Sequence, residues 1–139
     1  MHRLSGRQGR VVAASWAVVA CLTAFPAVAA QKGATDWTSR LEPRTRAMEV
    51  CNLAGLTAFG KDKKLKPRPD RVRVNAGAEP KIEGGLVSGA SGAVRSGHKW
   101  YAFTFKCTLN EPGTKATAFS YELGKEIPKA QFEKRGLWD

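Results

Sequence analysis

The clearest pattern in the chain is an alternation of hydrophobic and polar residues over 99–109 (KWYAFTFKCTL). The hydrophobic positions are Tyr101, Phe103, Phe105, Cys107 and Leu109, and the positions between them after Trp100 are Ala102, Thr104, Lys106 and Thr108. A period of two is typical of a strand with one buried and one exposed face. We therefore predict a strand over 99–109, with Phe103 and Phe105 in the core and Lys106 exposed.

A second alternating segment, 116–123 (ATAFSYEL), follows a turn-forming run at 110–114 (NEPGT). Phe119, Tyr121 and Leu123 share one face of this segment and are predicted core residues, whereas Glu122 is predicted to be exposed. Two alternating runs joined by a short turn favour an antiparallel pair.

Weaker strand signals occur earlier, at 72–74 (VRV), at Ile82 and at Leu86-Val87. Residues 88–98 (SGASGAVRSGH) are rich in glycine and serine, and this composition predicts a flexible loop around Ala93-Val94.

Before these strands, hydrophobic residues recur at near-helical spacing at Leu41, Met48, Cys51 and Leu56, which predicts a helix over 41–59 that ends at Gly60. Ser39 and Glu42 have the spacing of a capping box, and Pro43 is tolerated in a first helical turn.

After Ile127-Pro128, we predict a short C-terminal helix over about 129–135, with Leu137 and Trp138 covering the end of the sheet. The predicted fold is α+β: an N-terminal helix packed on a small antiparallel sheet of about 3–5 strands, a short C-terminal helix and one disulfide.

The first 30 residues have the organisation of a cleavable signal peptide. A basic segment at 1–10 precedes an apolar segment at 11–25, and small residues follow Pro26. We predict cleavage near Ala30/Gln31, a flexible tail over 31–38 and a single domain over 39–139, without a transmembrane helix in the mature protein. The predicted location is periplasmic or secreted. The alternatives are an uncleaved membrane anchor and a lipoprotein, because VVAC at 18–21 resembles a lipobox with Cys21 as the modified residue.

Export changes how the cysteines are interpreted. Removal of residues 1–30 leaves two of the three cysteines, and exported proteins form disulfides. Cys51 lies on the apolar stripe of the predicted helix and Cys107 on the apolar face of the predicted strand. We predict that Cys51 and Cys107 are bonded.

The chain is basic, with 23 Lys and Arg against 12 Asp and Glu and a formal net charge of +11. Removal of Arg3, Arg7 and Arg10 with the leader lowers that charge to +8. The basic residues concentrate in one segment, where only Asp62 and Asp70 offset them: Lys61, Lys63, Lys64, Lys66, Arg68, Arg71 and Arg73. Such a run either remains solvated or binds an anion. In the envelope the available anions are lipid head groups, lipopolysaccharide phosphates and acidic glycans, so we do not expect nucleic acid as a partner.

Several segments together resemble the exported bacterial family called domain of unknown function 930. They are SGHKWYAFTFKCTL at 96–109, FSYELGKEIP at 119–128 and the terminal GLW, with matching residues at 40–43, 49–51 and 69–72. The resemblance covers about residues 39–139 and implies an envelope protein. The family has no established activity, so the resemblance implies no site residues. The basic KDKKLKPR segment departs from the family pattern.

No set of residues in the sequence predicts catalysis. His98 with Cys107 resembles a nucleophile pair, and Glu122 with Glu126 resembles an acid–base pair. A core-facing cysteine of an exported protein favours a disulfide, however, and Glu122 is expected in solvent. We predict no enzyme activity, no metal site and no cofactor. The expected function is an envelope module that binds an anionic surface or a protein partner. A small inhibitor or stress-protective protein that docks on an enzyme is the alternative, and a hydrolase is third.

Overall fold

The computed structural model describes residues 37–139, so the predicted leader and most of the predicted N-terminal tail lie outside the described residues. One helix, α1 (Pro43–Phe59), precedes five strands, and three 3-10 turns flank this core: Thr38–Arg40, Lys129–Gln131 and Glu133–Arg135. The strands are β1 (Arg71–Arg73), β2 (Lys81–Glu83), β3 (Leu86–Ser96), β4 (Lys99–Leu109) and β5 (Ala116–Glu126). The fold is therefore α+β, as predicted.

All strand pairs in the sheet are antiparallel, in the order β1-β3-β4-β5, and β2 also pairs with β3. The prediction of a loop over 88–98 was wrong, because these residues form most of β3. Pairing with neighbours on both sides outweighs the low strand propensity of glycine and serine. Packing also explains why position 92 is a glycine, because an added Cβ would overlap the Phe103 ring.

The predicted bounds and the predicted phase of β4 are both confirmed. Phe103, Phe105 and Cys107 are buried on the side of the sheet that α1 covers, which we call the helix face. Thr104 and Lys106 are exposed on the opposite, outer face. On β5, the predicted core residues Phe119, Tyr121 and Leu123 are half-buried and pack at the margin of the core.

Helix α1 ends at Phe59 with Gly60 as its C-cap, as predicted, but it begins later than predicted. The N-cap residue is Glu42, whose carboxylate accepts the backbone N–H of Arg44 at 2.9 Å and that of Thr45 at 3.1 Å. Ser39 lies in the preceding 3-10 turn, so the predicted capping box was wrong. Because Pro43 occupies the first helical position, the cap falls directly before it.

The predicted disulfide is present and ties α1 to the sheet. Cys51 and Cys107 are fully buried, with their Cα atoms 6.0 Å apart. The bond lies within the main core, which also contains Phe59, Val87 and Val94.

A smaller core forms on the outer face, at the end of the sheet where the C-terminal segment packs. Trp100 is fully buried there against Ile127, Phe132 and Leu137. The indole N–H of Trp100 donates to the backbone carbonyl of Trp138 at 2.7 Å. The predicted C-terminal helix is thus two short 3-10 turns, with Phe132 between them as a buried anchor.

Candidate partner-binding surface

The basic segment 61–73 is divided by the fold into two parts. Its first part is a loop after α1, in which Lys61, Lys63, Lys64, Lys66 and Arg68 are exposed. Leu65 and Pro69 are buried and anchor this loop to the domain. Its second part, Arg71 and Arg73, belongs to β1 and lies on the outer face of the sheet.

Asp62 fixes the base of the loop. Its carboxylate accepts the Lys64 backbone N–H at 2.9 Å and the Tyr121 hydroxyl at 2.8 Å. These two hydrogen bonds lower the pKa of Asp62, and burial together with the bond to Asp62 raises the pKa of Tyr121 to about 12. The Asp62 carboxylate is therefore bonded to groups within the domain, while the lysine ammonium groups remain in solvent.

The second part contributes to an arginine–tryptophan cluster, which consists of Arg71, Arg73, Arg95, Trp100 and Trp138. The guanidinium carbons of Arg71 and Arg73 each lie 5.7 Å from the centre of the Trp138 ring. Arg95 lies opposite Arg71 on β3, at 5.8 Å from the Trp138 ring and 5.6 Å from the Trp100 ring. Three guanidinium groups thus surround one indole at cation–π distance.

Among the three arginines in the cluster, Arg95 is the one that forms a salt bridge within residues 37–139. Arg95 donates two hydrogen bonds to Asp70, at 2.9 and 2.8 Å, which lower the pKa of Asp70 and raise the pKa of Arg95. Within residues 37–139, no carboxylate lies at salt-bridge distance from Arg71 or Arg73. Asp70 and Glu49 line the same cavity as Arg71, Arg73 and Trp138, and the charge of Arg71 also contributes to the lowered pKa of Asp70. Arg71 and Arg73 therefore lie side by side on β1 without a direct ion pair, but with carboxylates nearby.

The cluster suits recognition of an oxyanion. A planar guanidinium matches the two oxygens of a carboxylate or phosphate, and the cation–π contacts with Trp138 keep the guanidinium groups of Arg71 and Arg73 near one another. Trp138 remains 41% exposed, so an apolar surface adjoins the charged groups. The same contacts join β1 and β3 to the C-terminal segment.

The sequence predicted only part of this site. Arg71 and Arg73 stood out in the basic run, whereas Arg95 was assigned to a loop. Trp138 was expected to cover the sheet end, but no local pattern indicates that three arginines meet it. The loop residues Lys61 to Arg68, predicted to belong to the same surface, are not members of the cluster.

The residues weighed as catalytic candidates are placed as follows. Cys107 is bonded to Cys51 and offers no free thiol to His98, which is exposed in the turn between β3 and β4. Glu122 and Glu126 are exposed on β5.

The family model described as Domain of Unknown Function (DUF930) matches residues 38–137, which include α1, all five strands and both bonded cysteines. The chain belongs to this family. No curated protein and no solved structure is significantly similar to this DUF930 domain. Between residues 37 and 139, no helix of the domain is long and apolar enough to cross a bilayer.

Proposed function

We propose that this DUF930 domain is a non-catalytic module of the bacterial envelope that binds an anionic partner through Arg71, Arg73 and Trp138. The observation that supports this proposal is a pair of guanidinium groups that form no salt bridge within residues 37–139 and lie beside a half-exposed indole. The location, periplasmic or secreted, follows from the signal-peptide pattern of residues 1–30 and is part of the proposal.

The arginine pair differs from the lysine loop because its side chains have an aromatic contact. Arg71 and Arg73 project from a paired strand and lie at cation–π distance from Trp138. Ordering a free, rotamer-rich side chain on binding costs about 0.5–1.5 kcal/mol. The exposed ammonium groups of Lys63, Lys64 and Lys66 incur that cost, and we propose that the contact with Trp138 reduces it for the two guanidinium groups.

The ligand chemistry that fits the pair is an oxyanion that accepts hydrogen bonds from both guanidinium groups. In the envelope that chemistry is supplied by phosphates of lipids or lipopolysaccharide and by carboxylates of acidic glycans. The purified domain, residues 31–139, is therefore tested against phosphatidylglycerol vesicles, lipopolysaccharide and polygalacturonate. These three probes separate membrane phosphate, glycolipid phosphate and glycan carboxylate.

Four variants locate the surface. R71Q/R73Q removes the pair, and K106Q/K125Q removes two exposed charges elsewhere on the sheet as a charge-matched control. K63Q/K64Q/K66Q tests the lysine loop. R71K/R73K retains charge but loses the planar donors.

We expect R71Q/R73Q to weaken binding to at least one probe by about tenfold or more, as for loss of charge-assisted hydrogen bonds. The affinity of R71K/R73K should lie between those of the wild type and R71Q/R73Q. The affinity of the control K106Q/K125Q should be close to that of the wild type. Equal losses in R71Q/R73Q and K106Q/K125Q would indicate diffuse attraction and contradict the assigned surface. A larger loss in the loop variant would assign binding to the lysines, and no binding to any probe would overturn the proposal.

A further inference from the structure

The strand β5 forms an open edge of the sheet. It pairs with β4 on one side, and no described strand pairs with its other side. The direction of its backbone groups follows from β4. The Leu109 N–H donates toward β3, to Gly85 at 2.7 Å, whereas the Trp100 carbonyl accepts from Ile127, just beyond β5, at 2.7 Å. Because backbone groups alternate in direction along a strand, Thr104, Lys106 and Thr108 bond to β5.

The partners of these three β4 residues are Glu122, Ser120 and Ala118. The intervening residues, Phe119, Tyr121 and Leu123, therefore direct their N–H and C=O groups to the open edge. Ala116, which lies opposite Leu109, does the same beyond a bulge at Thr117. Unpaired backbone groups in a row are a template for another strand.

A groove runs along this edge between the strand and the helix. Its helix side is formed by Leu53, Ala54, Thr57 and Ala58, and its strand side by residues 116–119. Leu53 is 42% exposed. Apart from Leu53, the helix residues are small and leave space for side chains of another chain. We call this feature the α1–β5 groove.

We propose that the α1–β5 groove binds an extended peptide segment with alternating apolar residues and acidic ends, which adds to the sheet as a strand beside β5. Strand addition next to a helix supplies backbone hydrogen bonds for affinity and pockets for alternate side chains. From Leu53 to the end of the helix at Phe59 the helix side spans about 9 Å, at roughly 1.5 Å per residue. About three extended residues cover that length at roughly 3.3 Å each, and a residue at either end extends beyond it.

Charge selects this occupant over a second copy of the chain. Lys115 lines one end of the groove and Lys61 the other, and neither has a salt-bridge partner among residues 37–139. Carboxylates at the ends of a bound segment would be opposite these ammonium groups. A second β5 would bring the same lysines into the interface. The groove is also separate from the arginine–tryptophan cluster, because β1 and β5 are opposite ends of the strand order.

The test compares two blocked peptides of identical composition, Ac-DVTVD-NH2 and Ac-DVVTD-NH2. Both have acidic ends, but only the first alternates. Binding to residues 31–139 is measured by calorimetry, and amide hydrogen exchange is followed at Ala116 and Phe119, the edge-facing residues that line the groove. We expect the alternating peptide to bind about tenfold more tightly, because only its valines share one face of the added strand. Exchange at these two amides should slow when the alternating peptide is bound.

Variants and the oligomeric state complete the test. K61Q/K115Q should weaken binding of the alternating peptide, K106Q/K134Q is the charge-matched control, and T57F should block the groove without altering the core. Equal binding of both peptides, or unchanged exchange at the two amides, would overturn strand addition. A dimer in sedimentation that protects the β5 amides without peptide would identify a second copy as the occupant and overturn the peptide assignment. R71Q/R73Q should leave peptide binding unchanged, so this inference and the proposed function fail separately.

Discussion

At the scale of single residues, Gly92 shows how a residue of low strand propensity is required inside a strand. The ring of Phe103 on the neighbouring strand occupies the space that a side chain at position 92 would need, so an added Cβ would overlap the ring. Phe103 is 1% exposed, and its ring packs against those of Phe59, Phe105 and Phe119. We predict that G92A lowers the free energy of unfolding by roughly 1–3 kcal/mol through overpacking.

Urea denaturation of G92A, with A90S as a control at an exposed position of the same strand, measures this loss. A wild-type midpoint for G92A would contradict the packing of Phe103 over the glycine.

The ion pair of Asp70 and Arg95 gives a second prediction at this scale, on pH dependence. The hydrogen bonds that Arg95 donates to Asp70 hold the pKa of Asp70 below its ordinary value of 3.8. The unfolded chain therefore binds the proton more readily than the folded domain. The stabilisation is complete above that ordinary value and is lost as the pH falls through the folded pKa.

We expect D70N to have a lower Tm than the wild type at pH 7 and a similar Tm at pH 2, with E111Q in the β4–β5 turn as a charge-matched control. An equal difference in Tm between D70N and wild type at both pH values would show that the carboxylate charge of Asp70 does not stabilise the domain.

At the scale of elements, the sequence alone predicts a strand correctly where its hydrophobic periodicity agrees with the burial of its residues in the fold. The strand β4 alternates without interruption, so its bounds and its phase follow from the pattern alone. The strand β3 has no such alternation, because its glycines at 89 and 92 lie under the rings of Phe105 and Phe103. Its strand conformation depends on neighbours that are distant in sequence, and local propensity therefore indicates a loop.

The disulfide gives a prediction at this scale, because it joins α1 to β4 across 56 residues of sequence. In the chain-entropy model a closed loop of this length stabilises the folded state by about 4 kcal/mol. We predict a loss of about that size for C51A/C107A, measured by urea denaturation of oxidised wild type and the variant. Wild type that has been reduced should resemble the variant. Equal stability of oxidised and reduced wild type would contradict a stabilising bond.

At the scale of the whole molecule, the candidate surfaces combine segments that are far apart in the chain. The run of lysines and arginines at 61–73 is visible in the sequence, but its division between a loop and the strand β1 is not. Arg71 and Arg73 of β1 lie on the outer face, where Arg95 of β3 and Trp138 near the C-terminus complete the cluster. Only the order of strands in the sheet brings these segments together, so the basic run alone predicted a single continuous surface.

Export and folding are coupled in the last prediction, because the buried disulfide needs an oxidising compartment. The leader pattern over 1–30 predicts that the mature chain begins at Gln31. We expect the full-length chain, expressed in a bacterial host, to be recovered from the envelope as residues 31–139. Its mass should be that of the reduced chain less two hydrogen atoms, and alkylation without reduction should label no thiol. The same residues produced without the leader in a reducing cytoplasm should carry two free thiols and unfold at lower urea.

Intact-mass measurement also separates the alternatives. A chain that begins at a diacylated Cys21 would identify a lipoprotein, and a chain that retains residues 1–30 would identify a membrane anchor. Either mass would contradict cleavage before Gln31 while leaving the disulfide prediction standing, because both forms still place Cys51 and Cys107 outside the cytoplasm. Two alkylated thiols in the exported chain would contradict the disulfide itself.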